Sequence, residues 1–386
     1  MRIGIFLSSR NPQEGGGFTI TYDIFKSLFK SIKDKDKKKY IFILVNDFDN
    51  SLKKLITKNN FQYKEYNLNK LIIKIKNFFF SKFPILLKIY QKFHLDKFQR
   101  LERELNIGVV WFISAEYFYP IFKKYISTVW DLQHRTHPQF PEVGGIFIRY
   151  YRDAVISSFL KNSYKIITGS NFLKNKITEF YNVKKNKVVL VPHPTPTIYL
   201  QNIKFYKNKK KYFFYPANFW PHKNHLNLIK GFDQFNFKNN YEYKLILVGS
   251  IKNKKYFHKI LKLKNSLNSN QNIKILNFVS VKKMIYLYDN CLALIYASYC
   301  GPENLPPLEA FARNKPVICS EYEGAREQLK ELPIFFNPNN PKAIANAINF
   351  FLKNRITVNY RKFALSRSVD KYSSSVLCEL KSFKKL

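Results

Sequence analysis

Short apolar runs rich in Ile, Val and Phe alternate along the whole chain with longer stretches of helical spacing. In the first half the runs are Ile3 to Leu7, Tyr40 to Val45, Val109 to Ile113, Thr128 to Trp130, Lys165 to Thr168 and Val188 to Val191. In the second they are Tyr212 to Tyr215, Lys244 to Val248, Ile273 to Phe278, Leu292 to Tyr296, Pro316 to Cys319 and Ile334 to Phe336. Runs of this length and composition, separated by helices, predict parallel strands buried on both faces. The 386 residues exceed one typical core, so the pattern predicts an α/β protein of two Rossmann-like units. The boundary is expected after Val191, where Pro192, Pro194 and Pro196 stiffen the chain and the basic run Lys207 to Lys211 precedes the next strand. This gives an N-terminal domain over 1–195, a linker over 196–210 and a C-terminal domain over 211–371. Open parallel sheets bind ligands beyond the carboxyl ends of their strands, which places the expected site in the cleft between the two units.

One segment carries most of the candidate chemistry. Between Gly301 and Ala312 the chain reads Gly-Pro-Glu-Asn-Leu-Pro-Pro-Leu-Glu-Ala-Phe-Ala. Pro306 and Pro307 fit an extended segment or the first turn of a helix, so a helix is predicted to start there and run to Ala312. Amide groups at a helix start, with the positive end of its dipole, attract anionic oxygen such as a diphosphate. Glu309 then falls in the first turn, either complementing the dipole or accepting hydrogen bonds from a diol such as ribose.

The segment does not stand alone. Leu305 to Ala310 (Leu-Pro-Pro-Leu-Glu-Ala) is followed by Lys315-Pro-Val-Ile and Gly324-Ala-Arg-Glu. It is preceded, in order, by Gly15 to Gly17, which read as a loop between the strand Ile3 to Leu7 and a helix over Tyr22 to Lys33, and by Thr168-Gly-Ser, Val191-Pro-His, Tyr215-Pro-Ala, His222-Lys-Asn-His and Leu247-Val-Gly. This ordered set resembles the motifs of retaining GT-B glycosyltransferases of the large family 4, the glycosyl transferases group 1. The resemblance implies two Rossmann-like domains with parallel sheets facing each other across a cleft, and a C-terminal helix, about 372–386, that packs back on the N-terminal domain. It also implies transfer of a sugar from a nucleotide diphosphate donor to a glycan acceptor, lipid-linked and of the lipopolysaccharide, O-antigen or capsule kind. It implies, too, that anomeric configuration is retained and that, with a donor phosphate oxygen taking the acceptor proton, no metal or cofactor is needed.

By the same resemblance Lys223 and Glu309 serve the reaction, with Asp131 and His134 orienting sugar or acceptor hydroxyls. The implied donor contacts are Gly16, Gly17, Asn218, Lys223, Gly249, Phe278, Val279, Glu303, Asn304, Leu305 and Glu309. Two departures stand out. Many members carry Arg five residues before the Lys, where this chain has Asn218, and a Glu eight residues before the second Glu, where it has Gly301. Glu303 is close to the second position but displaced. Arg326, nearby lysines, or the amides of Asn304 and Leu305 are the expected substitutes for the missing cation. A subset with the pattern Gly-Pro-x-Asn-Leu-Pro-Pro-Leu-Glu is the better match.

Charge changes the picture at one place. The formal net charge is +40, with Lys far in excess of Arg, a balance that suits an anionic membrane surface better than sequence-specific nucleic-acid reading. The abundance of Lys, Asn, Ile, Phe and Tyr also fits plain compositional bias. Between Lys70 and Lys97 apolar triplets flanked by lysines suit two helices broken near Pro84, with cationic edges that could lie at a lipid surface in a salt-sensitive way. The alternative is a pair of core-packed helices with solvated lysines. No stretch approaches the ~20 apolar residues of a membrane span. Cys291, Cys300, Cys319 and Cys378 lack metal or redox spacing, which suits a reduced, cytoplasmic setting, and the resemblance implies a place on the cytoplasmic face of the inner membrane. Asp131, His134 and His137 invite a metal, but no second acidic or Cys cluster supports one. Two rival functions remain: transfer to a soluble acceptor, and a silent GT-B-like protein that binds membrane or nucleic acid by charge.

Overall fold

Both halves of the chain form an all-parallel sheet. The structure, a computed structural model, describes residues 2–8, 16–46, 50–67, 69–93, 97–115, 122, 124–203, 211–354 and 358–383. Gly15, residues 204–210 with most of the basic run, and residues 384–386 lie outside the described residues. The chain divides into two units: Met1–Pro138 with Val143–Pro194 and Val369–Leu386, and Gln139–Glu142 with Thr195–Ser368.

The first unit contains β1 (Arg2–Ser8), β2 (Tyr40–Val45), β3 (Gln62–Tyr66), β4 (Ile107–Phe112), β5 (Tyr125–Val129), β6 (Lys165–Thr168) and β7 (Val188–Leu190), ordered β3-β2-β1-β4-β5-β6-β7. The direction of strand addition reverses between β1 and β4. The register pairs Ile5 with Phe42 on one side and with Trp111 on the other, all three fully buried. Phe6, Phe112 and Phe159 fill the layer between sheet and helices, with Phe6 and Phe112 ring centroids 4.6 Å apart. The last helix, Val369–Ser382, packs on Gly16–Ser31, where the Ser27 and Ser373 hydroxyls hydrogen-bond. Helix Gly16–Ser31 corrects one expectation: Gly16 and Gly17 open the helix itself rather than forming a loop ahead of a helix near Tyr22.

The second unit contains β8 (Tyr212–Pro216), β9 (Lys244–Val248), β10 (Ile273–Leu276), β11 (Leu294–Tyr296), β12 (Val317–Ser320) and β13 (Ile334–Phe336), ordered β10-β9-β8-β11-β12-β13. Here the reversal falls between β8 and β11. All five residues of β8 are buried, as a central strand covered on both faces requires. Phe213, Leu247, Ile295, Leu308 and Phe311 belong to one continuous core.

Candidate active site

Crevices form where a parallel sheet changes direction, because the loops after the two central strands part there. In the second unit the loops after β8 and β11 flank that point. After β8 the chain makes a short 3-10 turn, Pro221–Lys223. Asn224 then takes a left-handed conformation with φ of +56°, which Asn tolerates, before helix His225–Phe237 begins. Tyr215 of β8 donates its hydroxyl to the Lys223 carbonyl at 2.7 Å and fixes the turn. The His222 backbone amide donates to Glu142 Oε1 at 3.0 Å, and its imidazole Nδ1 also meets that oxygen. Burial would raise the Glu142 carboxyl, but the His222 hydrogen bonds outweigh it and hold the group below its usual range.

So held, the half-buried Lys223 reaches across the reversal. Its Nζ lies 3.0 Å from the Tyr296 hydroxyl, 3.4 Å from Ser298 Oγ and 3.4 Å from Asn304 Oδ1. Tyr296 also donates to Asn304 Oδ1, at 2.6 Å. Lys223 thus sits where the sheet reverses, with the oxygens of Tyr296, Ser298 and Asn304 around its ammonium group. The partners Tyr296 and Ser298 escape sequence reading, since only the adjacency of β8 and β11 brings them to Lys223.

Asn304 is fixed from behind. Gln328, almost fully buried, accepts from the Asn304 amide at 2.9 Å and donates to its carbonyl at 2.8 Å. Arg367 donates to the Gln328 carbonyl at 2.9 Å and pairs with the Glu303 carboxylate. Two expectations are corrected here. The Glu303 side chain is only 3% exposed and is bound to Arg367, so it braces the loop instead of facing a sugar. The Asn304 amide is committed to Gln328, and Pro306 and Pro307 carry none, which leaves Leu305 as the amide that can serve a ligand at this helix start. Arg326, a proposed substitute cation, is ion-paired with both Glu321 and Glu331.

Gly301 has a conformational reason. Its φ is +118°, and a Cβ there would lie 2.8 Å from the Asn304 side-chain amide, which donates to the Gly301 carbonyl at 2.9 Å. A Glu at this position would displace the residue that holds Lys223. Gly301→Ala is therefore expected to cost roughly 1–3 kcal/mol of stability, read as a lower melting temperature; an unchanged melting temperature would contradict the strain.

Glu309 is the largest departure from expectation. The helix begins at Leu305, so Glu309 is its fifth residue and lies past the first turn. One full turn from Leu305, it shares that residue's inward face and is 9% exposed. Tyr288 donates to its Oε2 at 2.7 Å, and Tyr199 hydrogen-bonds the same carboxyl. Burial pushes the carboxyl up to about 7, offset in part by the two tyrosine hydrogen bonds. Tyr199 belongs to the segment after Thr195, whose carbonyls are gripped by Arg313 (Tyr199, Gln201 and Ile203) and by Arg361 (Leu200). Glu309 thus joins that segment to the core instead of presenting its oxygens to a ribose.

The other expected donor contacts of this unit lie at the same carboxyl edge. Asn218 follows β8 and accepts from the Ser250 amide at 2.9 Å, tying the β8 and β9 loops together. Gly249 follows β9; a side chain there would bring Cβ within 2.1 Å of the Ala217 carbonyl oxygen. Phe278, after β10, is 59% exposed, and Val279 packs at the core's margin.

In the first unit Gly16 and Gly17 stand at the start of a long helix after β1, beside the other strand reversal. Asp131 is spent on a local turn, accepting from the Gln133 amide at 3.1 Å. His134 is buried, with Nε2 3.3 Å from Asp153 and 3.2 Å from the Tyr181 hydroxyl, which itself donates to Asp153 at 2.9 Å. Both side chains are thus anchored within the first unit, while the buried His134 Nδ1 has no hydrogen-bond partner among the described residues. Among the described residues no three His, Cys, Asp or Glu side chains converge as a metal would require.

Both units have the parallel-sheet, Rossmann-like build of GT-B proteins. HepE of Anabaena, solved in complex with UDP, superposes with a TM-score of 0.67 at 14% identity, covering 99% of this chain and 100% of that one. Residues 200–364, which fall in the second unit, match the family Glycosyl transferases group 1. The chain is 26% identical over 230 residues to the O-antigen chain mannosyltransferase RfbU of Salmonella typhimurium, covering 59% of this chain and spanning 61% of that protein's length. It is 21% identical over 302 residues to O-antigen chain mannosyltransferase B of Escherichia coli, covering 75% of this chain and 76% of that one.

Proposed function

We propose that the chain is a glycosyltransferase that moves a hexose from a nucleotide diphosphate donor to a lipid-linked glycan of the O-antigen or related kind, with retention of configuration. The observation that carries this reading is Lys223 at the strand reversal of the unit that matches glycosyl transferases group 1, amid Tyr296, Ser298 and Asn304. When the glycosidic bond breaks, its electron pair stays on the leaving phosphate, and a fixed cation there lowers the barrier. Lys223 supplies that charge, aided by the Leu305 amide and the dipole of helix Leu305–Ala312. The acceptor oxygen bonds to the anomeric carbon on the face the phosphate leaves, and its proton passes to a phosphate oxygen. No resident metal or cofactor enters this scheme.

The O-antigen names of the two relatives support a glycan acceptor, and the work would then lie on the cytoplasmic face of a membrane. Among the described residues no helix is long and apolar enough to cross a membrane. Thermal shift with uridine, guanosine and adenosine diphosphates tests the reading, since a bound ligand stabilises the native state by mass action. One of them is expected to raise the melting temperature by several degrees at saturating concentration. No shift with any of them would favour the silent, charge-binding reading, to which the inward turn of Glu303 and Glu309 lends some weight.

A further inference from the structure

The first unit carries an apolar surface that this chemistry does not use. Helix Lys70–Lys82 turns Leu71, Ile75, Phe78 and Phe79 outward, on a single face by their spacing. Helix Pro84–Lys92 adds Ile85 and Ile89 in the same way. The opposite faces are engaged: Phe80 is buried with its ring 5.1 Å from that of Tyr90, and Lys76 donates to the Tyr90 hydroxyl at 2.7 Å. A third element, unforeseen from sequence, joins them. Helix Ile146–Asn162 packs on Lys70–Lys82, with the Tyr151 hydroxyl 3.4 Å from the Lys74 carbonyl, and opens on Ile146, Phe147 and Ile148, all exposed. Phe147 is 85% exposed, close to what it would show in an unfolded chain.

Charge selects the occupant. Lys70 to Phe93 holds six lysines and no Asp or Glu, and the third helix contributes Arg149 and Arg152 before its first acid, Asp153. Asp153 is engaged by His134 and Tyr181. A second copy docking by the same patch would set these cations against themselves, because a two-fold contact pairs a surface with itself. An anionic bilayer satisfies both features at once, taking apolar side chains at the acyl boundary and ammonium groups at the headgroup phosphates. We infer that helices Lys70–Lys82 and Pro84–Lys92, with the start of Ile146–Asn162, form a monotopic docking surface for an anionic lipid bilayer. Binding then has an apolar part that salt does not screen, unlike adsorption by lysines alone.

The test uses the full chain and vesicles of phosphatidylcholine with or without phosphatidylglycerol, and is independent of turnover. The protein is expected to sediment with phosphatidylglycerol vesicles and to retain part of that binding in high salt. Phe79→Glu with Phe147→Glu should weaken vesicle affinity about tenfold or more, with the melting temperature unchanged because both positions are exposed. In a Phe147→Trp variant the indole emission should shift to the blue on those vesicles. Three results would overturn the inference: no sedimentation with phosphatidylglycerol vesicles, complete release by salt with the Glu variants binding like the parent, or a stable dimer that the Glu substitutions dissociate.

Discussion

Lys223→Ala is expected to lower the rate of sugar transfer by about a hundredfold to a thousandfold, the usual loss when one fixed donor to a developing anion is removed. The fold should survive it. Tyr296 keeps its 2.6 Å hydrogen bond to Asn304, and Asn304 keeps Gln328, so the deletion forfeits contacts worth about 1 kcal/mol. The loss should appear in the chemical step more than in binding, because charge on the leaving phosphate grows as the bond breaks. Lys223→Arg should recover only part of it, since a planar guanidinium does not fit the three-oxygen seat of an ammonium. Single-turnover transfer with a saturating donor, alongside melting curves, checks both halves. A variant within threefold of the parent would remove Lys223 from the chemistry.

That Lys223 belongs at a carboxyl edge was legible, since a buried run precedes it and a helix follows. Its partners were not. Tyr296 ends β11 and Ser298 lies just beyond it, and no spacing along the chain announces that β11 rather than β12 adjoins β8 across the reversal. The strands themselves could be read because both faces of a parallel strand are apolar. The exception proves the physics: β3, Gln-Tyr-Lys-Glu-Tyr, is a half-solvated edge strand whose exposed Lys64 and Glu65 erase the signal. Gly16 and Gly17 misled for a related reason, as glycine is a poor helix former and its place in a first turn is set by packing. For Glu309 the error was angular. Starting the helix at Leu305 carries residue 309 past the first turn and onto the inward face that Leu305 shares, and each residue of shift turns a side chain by about 100°.

Glu309 therefore predicts a pH effect on stability. Its carboxyl titrates near 7 in the folded chain, against an ordinary value of 4.5, because burial disfavours the charged form. Between those values the native protein keeps a proton that the unfolded chain has released. Stability from this group is thus full below about 4.5, falls as the pH rises toward about 7, and is level above it. The span corresponds to something on the order of 3 kcal/mol. Glu309→Gln keeps a neutral side chain of the same shape between Tyr288 and Tyr199 and has no proton to lose. It is expected to match the parent near pH 5 and to melt roughly 5–10 °C higher near pH 8. Parallel melting temperatures across this range would show that the carboxyl is not held protonated by burial. The same variant decides the site: with the carboxyl turned to Tyr288 and Tyr199, its affinity for a nucleoside diphosphate should stay within about threefold of the parent. A hundredfold loss, at a pH where both proteins are equally folded, would return Glu309 to the ligand and require its side chain to leave the tyrosines on binding.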